Sequence, residues 1–552
     1  MSSMHSLIWF YDIEALTIFQ LAQLAGGEGE GQFGAPNMAQ NYLQQWLIII
    51  AALFGLTVLV SIYGLLQRRF HMPKAESLGL LLVLVALVLV PLTYSGINDI
   101  RADGLQRREL YHLADGLRQT SDDLTRMVRL YAATGEEVYR DYFEEILDIR
   151  NGIAPRPEQY YEIPYWDIAL ATGERPGDLG APASIQSLMQ QAGLRSGEQA
   201  MLQESERQSN LLAKLEEDVM DVIEANVGED GLAFEGETLD ALQRLHGQEY
   251  HDAKALIMQP LVELVTGSGL DVLIVEGIAH NFLQQHVDIL MIVTVVAAVA
   301  LVLAVDRQNP RESILPSLAL LLVLASIFLG RQSLATNDAT GLNAARRQSE
   351  IFLSDGLRQT SDDLTRMARL YAITGEDNYR EYFDEILAIR NGDAPRPELY
   401  FEVPYWDFVL ATNHRLGESG EAVAVRTLLE RAGVTSASLS LLREAEEQSN
   451  ILAELENEVM DVVSASAGDD YRLEGEALDG MLRLHGAEYH EAKARIMQPL
   501  VELARQLEQD LEQEEEAGRD EFDTLMNLLA GSLLLAALVL VASLYRSRQP
   551  AS

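Results

Sequence analysis

Apolar and polar positions follow one another along this chain in two different rhythms. Five unbroken apolar runs, Trp46–Leu66, Leu78–Ser95, Ile289–Val305, Ile314–Gly330 and Leu525–Tyr545, contain no charged side chain. Crossing a hydrocarbon core of about 30 Å takes roughly 20 residues of helix, so each run predicts a transmembrane helix. Between the second and third runs, and again between the fourth and fifth, apolar residues fall instead at helical spacing. Over Leu117–Tyr131 they occupy positions 117, 124, 127, 128 and 131, one face of an amphipathic helix. Thr134-Gly135 breaks this stretch, and Tyr139, Tyr142, Phe143, Ile146 and Ile149 line one side of the next. Asn151-Gly152 and Pro155-Arg156-Pro157 stop that helix, and an irregular stretch is expected through Tyr165-Trp166-Asp167. Helical patterning returns at Ala183–Ala192, Glu198–Val227 and Thr238–Val265. Four main helices with short breaks predict an antiparallel bundle whose first and last helices continue toward the membrane.

The polar segments say nearly the same thing twice. Residues 116–172 and 356–412 align without a gap and agree at 44 of 57 positions. The match resumes at Gln208-Ser209-Asn210 and Gln448-Ser449-Asn450, and it persists to Pro260-Leu261 and Pro499-Leu500. Ser77–Leu84 likewise matches Ser317–Leu324, so the duplicated unit includes its entering membrane helix. The period is far longer than a solenoid repeat, which makes this a duplicated domain. The expected fold class is all-α: five transmembrane helices plus two tandem extracytoplasmic helical bundles of the four-helix type. Spans are placed at 46–66, 78–95, 288–305, 313–331 and 524–545, with bundles at 96–287 and 332–523. Near-identical bundles in one chain predict intrachain pairing about a pseudo-twofold axis along the membrane normal.

Orientation follows from Lys and Arg in the short connections. The loop at 67–77 carries Arg68, Arg69 and Lys74, that at 306–312 carries Arg307 and Arg311, and the tail at 546–552 carries Arg546 and Arg548. The first 45 residues hold no Lys or Arg. Both short loops and the tail are therefore expected in the cytoplasm, with residues 1–45 and both large domains outside it. Arg101, Arg107 and Arg108 argue the other way, but large domains translocate with little regard to charge. Without a basic n-region, the N-terminus is not read as a signal peptide. The predicted location is a bacterial inner membrane.

Charge and composition then exclude whole classes. The formal net charge is −43, and only Lys74, Lys214, Lys254 and Lys493 are lysines. Nucleic-acid binding rests on cations neutralising phosphates, so no nucleic-acid partner is expected. With no Cys there is no disulfide, thiolate nucleophile or cysteine metal site. No Gly-rich phosphate loop, nucleophile elbow or intramembrane charge stands out, so neither an enzyme nor a bound cofactor is expected.

One resemblance narrows the field. Leu-Arg-Gln-Thr-Ser-Asp-Asp-Leu-Thr-Arg-Met-x-Arg-Leu-Tyr-Ala-x-Thr-Gly begins at Leu117 and Leu357, and Ile-Arg-Asn-Gly-x-Ala-Pro-Arg-Pro-Glu follows at Ile149 and Ile389. Tyr-Trp-Asp and the late Leu-His-Gly-x-Glu-Tyr-His-x-Ala-Lys block complete the set. Together they resemble a helical periplasmic sensor region of bacterial chemoreceptors, hybrid histidine kinases and cyclases. The resemblance covers 105–265 and 345–505 and implies sensing. Only seven residues follow Tyr545, leaving no room for a transmitter, so the expected output runs through a separate membrane or cytoplasmic signalling protein.

Candidate ligand-binding residues come from the repeated break: Arg150, Tyr165, Trp166 and Asp167, with Arg390, Tyr405, Trp406 and Asp407. An aromatic plate beside a carboxylate and a guanidinium suits a small polar ligand or a cation. The same residues also suit a Trp packing the bundle end and an Asp capping a helix. Arg126, Arg129, Arg366 and Arg369 lie on the first helices, where the resemblance implies anionic ligands and ordinary surface ion pairs are the alternative. His246-x-x-Glu249-x-His251 and His485-x-x-Glu488-x-His490 place His and Glu on a shared face. Histidines five apart point about 140° apart on a helix, so no metal site is expected. Two readings remain: a ligand sensor without its own output, or an accessory subunit of a membrane complex using the bundles for docking.

Overall fold

The structure is a computed structural model that describes residues 74–157, 160, 164–228, 231–305, 310–397, 400–401, 403–466 and 472–547. Among them the chain is all-α, with one antiparallel pair of two-residue strands, β1 (Val227–Gly228) and β2 (Gly231–Leu232). Among the described residues, four helical segments contain a stretch long and apolar enough to cross a membrane: Ala75–Thr134, His280–Ala304, Glu312–Thr374 and Glu476–Arg546. The predicted span Trp46–Leu66 and the segment before it lie outside the described residues.

Each repeat begins and ends in a long helix. The first has α1 (Lys74–Thr134), α2 (Glu137–Asn151), α3 (Tyr165–Thr172), α4 (Ile185–Gln191), α5 (Ser196–Asn226), α6 (Glu237–Arg244) and α7 (Gln248–Ala304). The second has α8 (Pro310–Thr374), α9 (Asp377–Asn391), α10 (Tyr405–Thr412), α11 (Val425–Ala432), α12 (Ser436–Ser466), α13 (Glu476–Arg483) and α14 (Ala487–Arg546). The chain divides into two compact units. Among the described residues, one joins Gln106–Leu270 with Arg346–Asp510, so both polar repeats belong to it; the other takes 74–105, Asp271–Ala345 and 511–547.

In the first unit, one continuous apolar cluster runs through both repeats. Positions 117, 124, 127, 128 and 131 of α1 are all buried, as are Tyr139, Tyr142, Phe143, Ile146 and Ile149 of α2. Helix α2 ends at Gly152, whose φ of 75° is the left-handed conformation that glycine adopts freely. A Cβ there would stand 2.4 Å from the Ser184 backbone nitrogen, at the N-cap of α4. Gly392 repeats this contact against Ala424, so α2 and α9 turn where only glycine fits.

Two local expectations are corrected. Tyr165-Trp166-Asp167 is not irregular but forms the first turn of α3, because Pro164 supplies a fixed φ just before it and Asp167 faces the helix's positive end. The stretch Thr238–Val265 is not one helix: it breaks at Leu245–Gly247, where the His246 ring takes the Leu242 carbonyl at 2.8 Å. From Gln248, α7 runs unbroken to Ala304.

The second unit has its own apolar cluster, built on residues such as Val83, Leu283, Val323 and Leu533. Small residues let its helices approach: a Cβ on Gly79 would sit 2.8 Å from the Leu301 side chain. Ser326 and Ser532 hydroxyls pair at 2.6 Å, a polar link of the kind common between membrane helices.

Candidate functional site

The polar face of α1 does not point to solvent. Opposite the apolar stripe, Arg118, Asp122, Thr125, Arg126 and Arg129 recur at helical spacing, and their equivalents on α8 are Arg358, Asp362, Thr365, Arg366 and Arg369. The two faces line a cavity of about 110 Å3, bordered also by α3, α7, α10 and α14. Contacts across it are reciprocal. The Tyr139 hydroxyl lies 3.4 Å from His490 Nε2, and Tyr379 lies 3.4 Å from His251 Nε2. Arg126 also reaches Asp362 of the other copy at 3.6 Å.

Most charges on these walls are matched. Lys254 sits 3.0 Å from Asp122, and Lys493 3.0 Å from Asp362. Arg126 pairs with Asp167 and Arg366 with Asp407, both at 2.9 Å. Arg118 and Arg358 pair with Asp115 and Asp355 at 2.8 and 2.7 Å. Arg129 and Arg369 differ from all of these. Each is buried, donates Nε and Nη2 to a main-chain carbonyl, Leu245 or Leu484, and rests over the ring of Tyr250 or Tyr489 at 5.0 Å. The helix break at 245–247 is what frees the Leu245 carbonyl to accept them.

These surroundings reset several protonation equilibria. Burial pushes Asp123 up to about 7 and Asp363 up to about 8, with neighbouring carboxylates adding to the shift and Arg126 or Arg366 opposing it. Burial also acts to raise Asp122 and Asp362, yet Lys254 or Lys493 and nearby arginines outweigh it and hold both below the usual carboxylate range. His251 and His490 fall to about 3 through burial beside arginines, so both rings are neutral at physiological pH. Farther in, the Tyr250 hydroxyl donates to buried Glu216, and Tyr489 repeats this with Glu456. Burial raises Glu456 to about 7.

The structure separates the residues drawn from the repeated break. Asp167 and Asp407 stand on the cavity wall, as does Tyr165, whose buried hydroxyl has no hydrogen-bond partner among the described residues. Trp166 and Trp406 are each only 1% exposed and sit in the core, donating Nε1 to the Tyr160 and Tyr400 hydroxyls at 2.9 and 3.1 Å. Tyr405 is fully buried against Tyr400 and Trp406. Arg150 clamps α2 onto α5 through Ser209 at 2.8 Å and Asn210 at 2.9 Å, and Arg390 does the same with Ser449 and Asn450. The indole packs into the core, and the guanidinium that covers it belongs to Arg175, 5.5 Å from its ring centre. Arg150→Met should cost about 1–3 kcal/mol by orphaning the buried Ser209 hydroxyl and releasing Asn210. Thermal unfolding of the full chain checks this, and no loss would show that Arg150 does not hold α2 to α5.

Sequence reasoning missed Lys254 and Lys493, which hold the inner carboxylates. The available signal was their scarcity: two of only four lysines occupy equivalent positions in the two copies. Among the described residues, no group of three or more His, Asp or Glu side chains could hold a metal ion. Compared with family models, curated proteins and solved structures, the chain matches none.

Proposed function

We propose that this protein is a membrane-embedded receptor for a small polar ligand, bound between its two polar repeats and reported to a separate signalling protein. The observation that carries this reading is the charged cavity between the copies. A ligand there touches both repeats at once. Its walls include α1, α7, α8 and α14, each of which runs on into an apolar segment. A change in how the copies meet thereby becomes a displacement of helices that enter the bilayer, the kind of two-state element a transmembrane signal needs. In this reading both repeats face the outside of a bacterial inner membrane and the short basic loops face the cytoplasm.

The test uses the full chain in lipid nanodiscs, with thermal unfolding followed against a panel of small anions, cations and neutral polar metabolites. At least one class should raise the melting temperature. If none does, the receptor reading fails and the accessory-subunit reading takes its place. Topology is checked separately. A phosphatase reporter fused near residue 200 or 430 should be active and one after Arg548 inactive; the reverse pattern overturns the proposed orientation.

A further inference from the structure

The two copies are not equivalent everywhere they meet. A second cavity, of about 180 Å3, is lined by the start of α7, the start of α9 and the end of α10, and shares only Leu410 with the first. Its walls differ from the matching groove on the other side at three positions. Gln248 stands where that groove has Ala487, Asn378 where it has Val138, and Asn413 where it has Gly173. The contacts of Tyr379 with His251 and of Tyr139 with His490, each at 3.4 Å, show that the two grooves correspond. Each difference places a carboxamide where the other groove has no polar side-chain atom, and all three converge on one pocket.

These amides are held in place rather than scattered. Asn413 closes α10 at φ 54°, the one non-glycine residue with left-handed backbone among the described residues. Gly173 meets the same demand in the first copy at φ 70°, where glycine carries no penalty. Asn413 Oδ1 accepts the Tyr382 hydroxyl at 2.7 Å, which fixes the amide and leaves its Nδ2 as a donor. Gln248 reaches from one copy to the other and donates Nε2 to the Ala411 carbonyl at 2.7 Å, in the last turn of α10, leaving Oε1 as an acceptor. Asn378 brings a donor and an acceptor together, and Glu376, at the N-cap of α9, adds a carboxylate acceptor.

We infer that this pocket binds a small neutral polyol, at one site per chain, while the corresponding groove of the other copy does not. The site is separate from the central cavity, so the inference goes beyond the receptor reading above. A carboxamide offers a donor beside an acceptor, the complement of a hydroxyl, which is both. Charge selects against ions. Among the described residues no Lys or Arg lines the pocket to hold an anion. Its one carboxylate sits at the positive end of α9, which offsets its pull on a cation. Glu136 repeats that carboxylate in the other groove, so the amides are what set this pocket apart. Size agrees: an apolar cavity of about 150 Å3 holds benzene, so about 180 Å3 takes glycerol or one edge of a hexose, roughly six to eight heavy atoms.

The experiment is a saturation-transfer NMR titration of the full chain in nanodiscs with glycerol, glucose, methylammonium and acetate. Glycerol or glucose should bind, and the two ions should not. Gln248→Ala, Asn378→Val and Asn413→Gly together should weaken polyol binding about 10- to 100-fold. The chain already carries these residues at the matching places, so the variant should melt with the wild type when no ligand is present. The reverse transplant is Val138→Asn, Gly173→Asn and Ala487→Gln. Val138 and Ala487 are exposed, and a Cβ on Gly173 would meet nothing within 4 Å. It should add a second site of similar affinity and so double the saturating signal. If neither polyol binds, the inference is overturned. Polyol binding that survives the triple reversal would place the ligand elsewhere, overturning this site while the receptor reading stands. Methylammonium binding that the reversal abolishes would overturn the ligand class. A transplant that adds no site would show that the amides do not make the pocket, and would overturn the inference as well.

Discussion

Trp166→Ala, and equally Trp406→Ala, should destabilise the protein by roughly 3–5 kcal/mol, the usual cost of emptying a large aromatic site in a packed core. Trp166 is among the largest fully buried side chains, with its ring centre 5.2 Å from those of both Tyr142 and Tyr165. Its removal strips a contact from α2, leaves the Tyr160 hydroxyl without its donor, and takes away a ring beneath Arg175. Thermal unfolding of the full chain is the measurement, and Trp166→Phe should recover much of the loss by refilling the volume. An alanine variant that melts with the wild type would show that the indole does not hold the core and would restore it as a candidate ligand contact.

The contrast between Trp166 and Asp167 shows where sequence reading works and where it stops. Helix positions in α1, α2 and α5 were legible because apolar residues at period 3.6 must be buried together. Both copies could be recognised because they share so many residues, and the four described apolar segments because lipid demands uninterrupted apolar length. The polar face of α1 carries no such signal. Arg118, Asp122 and Arg126 at helical spacing read as a solvated stripe, and only the matching face of α8 encloses them. That pairing is tertiary, so local periodicity could not reveal it. The repeated break did contain wall residues, in Asp167, Asp407 and Tyr165. Their neighbours in sequence were misleading because one helical turn at α3 sends the indole inward while the adjacent carboxylate meets Arg126. The break at Leu245–Gly247 was hidden for a similar reason: it is stabilised by an arginine 116 positions away.

The same burial that hides the polar face should make stability fall between pH 6.5 and 8.5. Asp123 and Asp363 ionise near 7 and 8 in the folded protein but near the ordinary carboxylate value once unfolded. A raised acid binds its proton more tightly in the folded state, so its contribution is present at low pH and is lost as pH rises through the folded value. Glu456, at about 7, acts in the same direction. His251 and His490 act oppositely, but with folded values near 3 and an unfolded value near 6.5 each adds only about 0.4 kcal/mol above pH 6.5. Asp122 and Asp362 are ionised in both states over this range and drop out. What remains is the loss from the raised acids, which at about 1.4 kcal/mol per proton for each pH unit amounts to roughly 2–4 kcal/mol. Thermal unfolding at constant ionic strength should show the melting temperature declining across this interval, and Asp123→Asn with Asp363→Asn should flatten most of the decline. A melting temperature that rises from pH 6.5 to 8.5 would mean these carboxylates are ionised in the folded state.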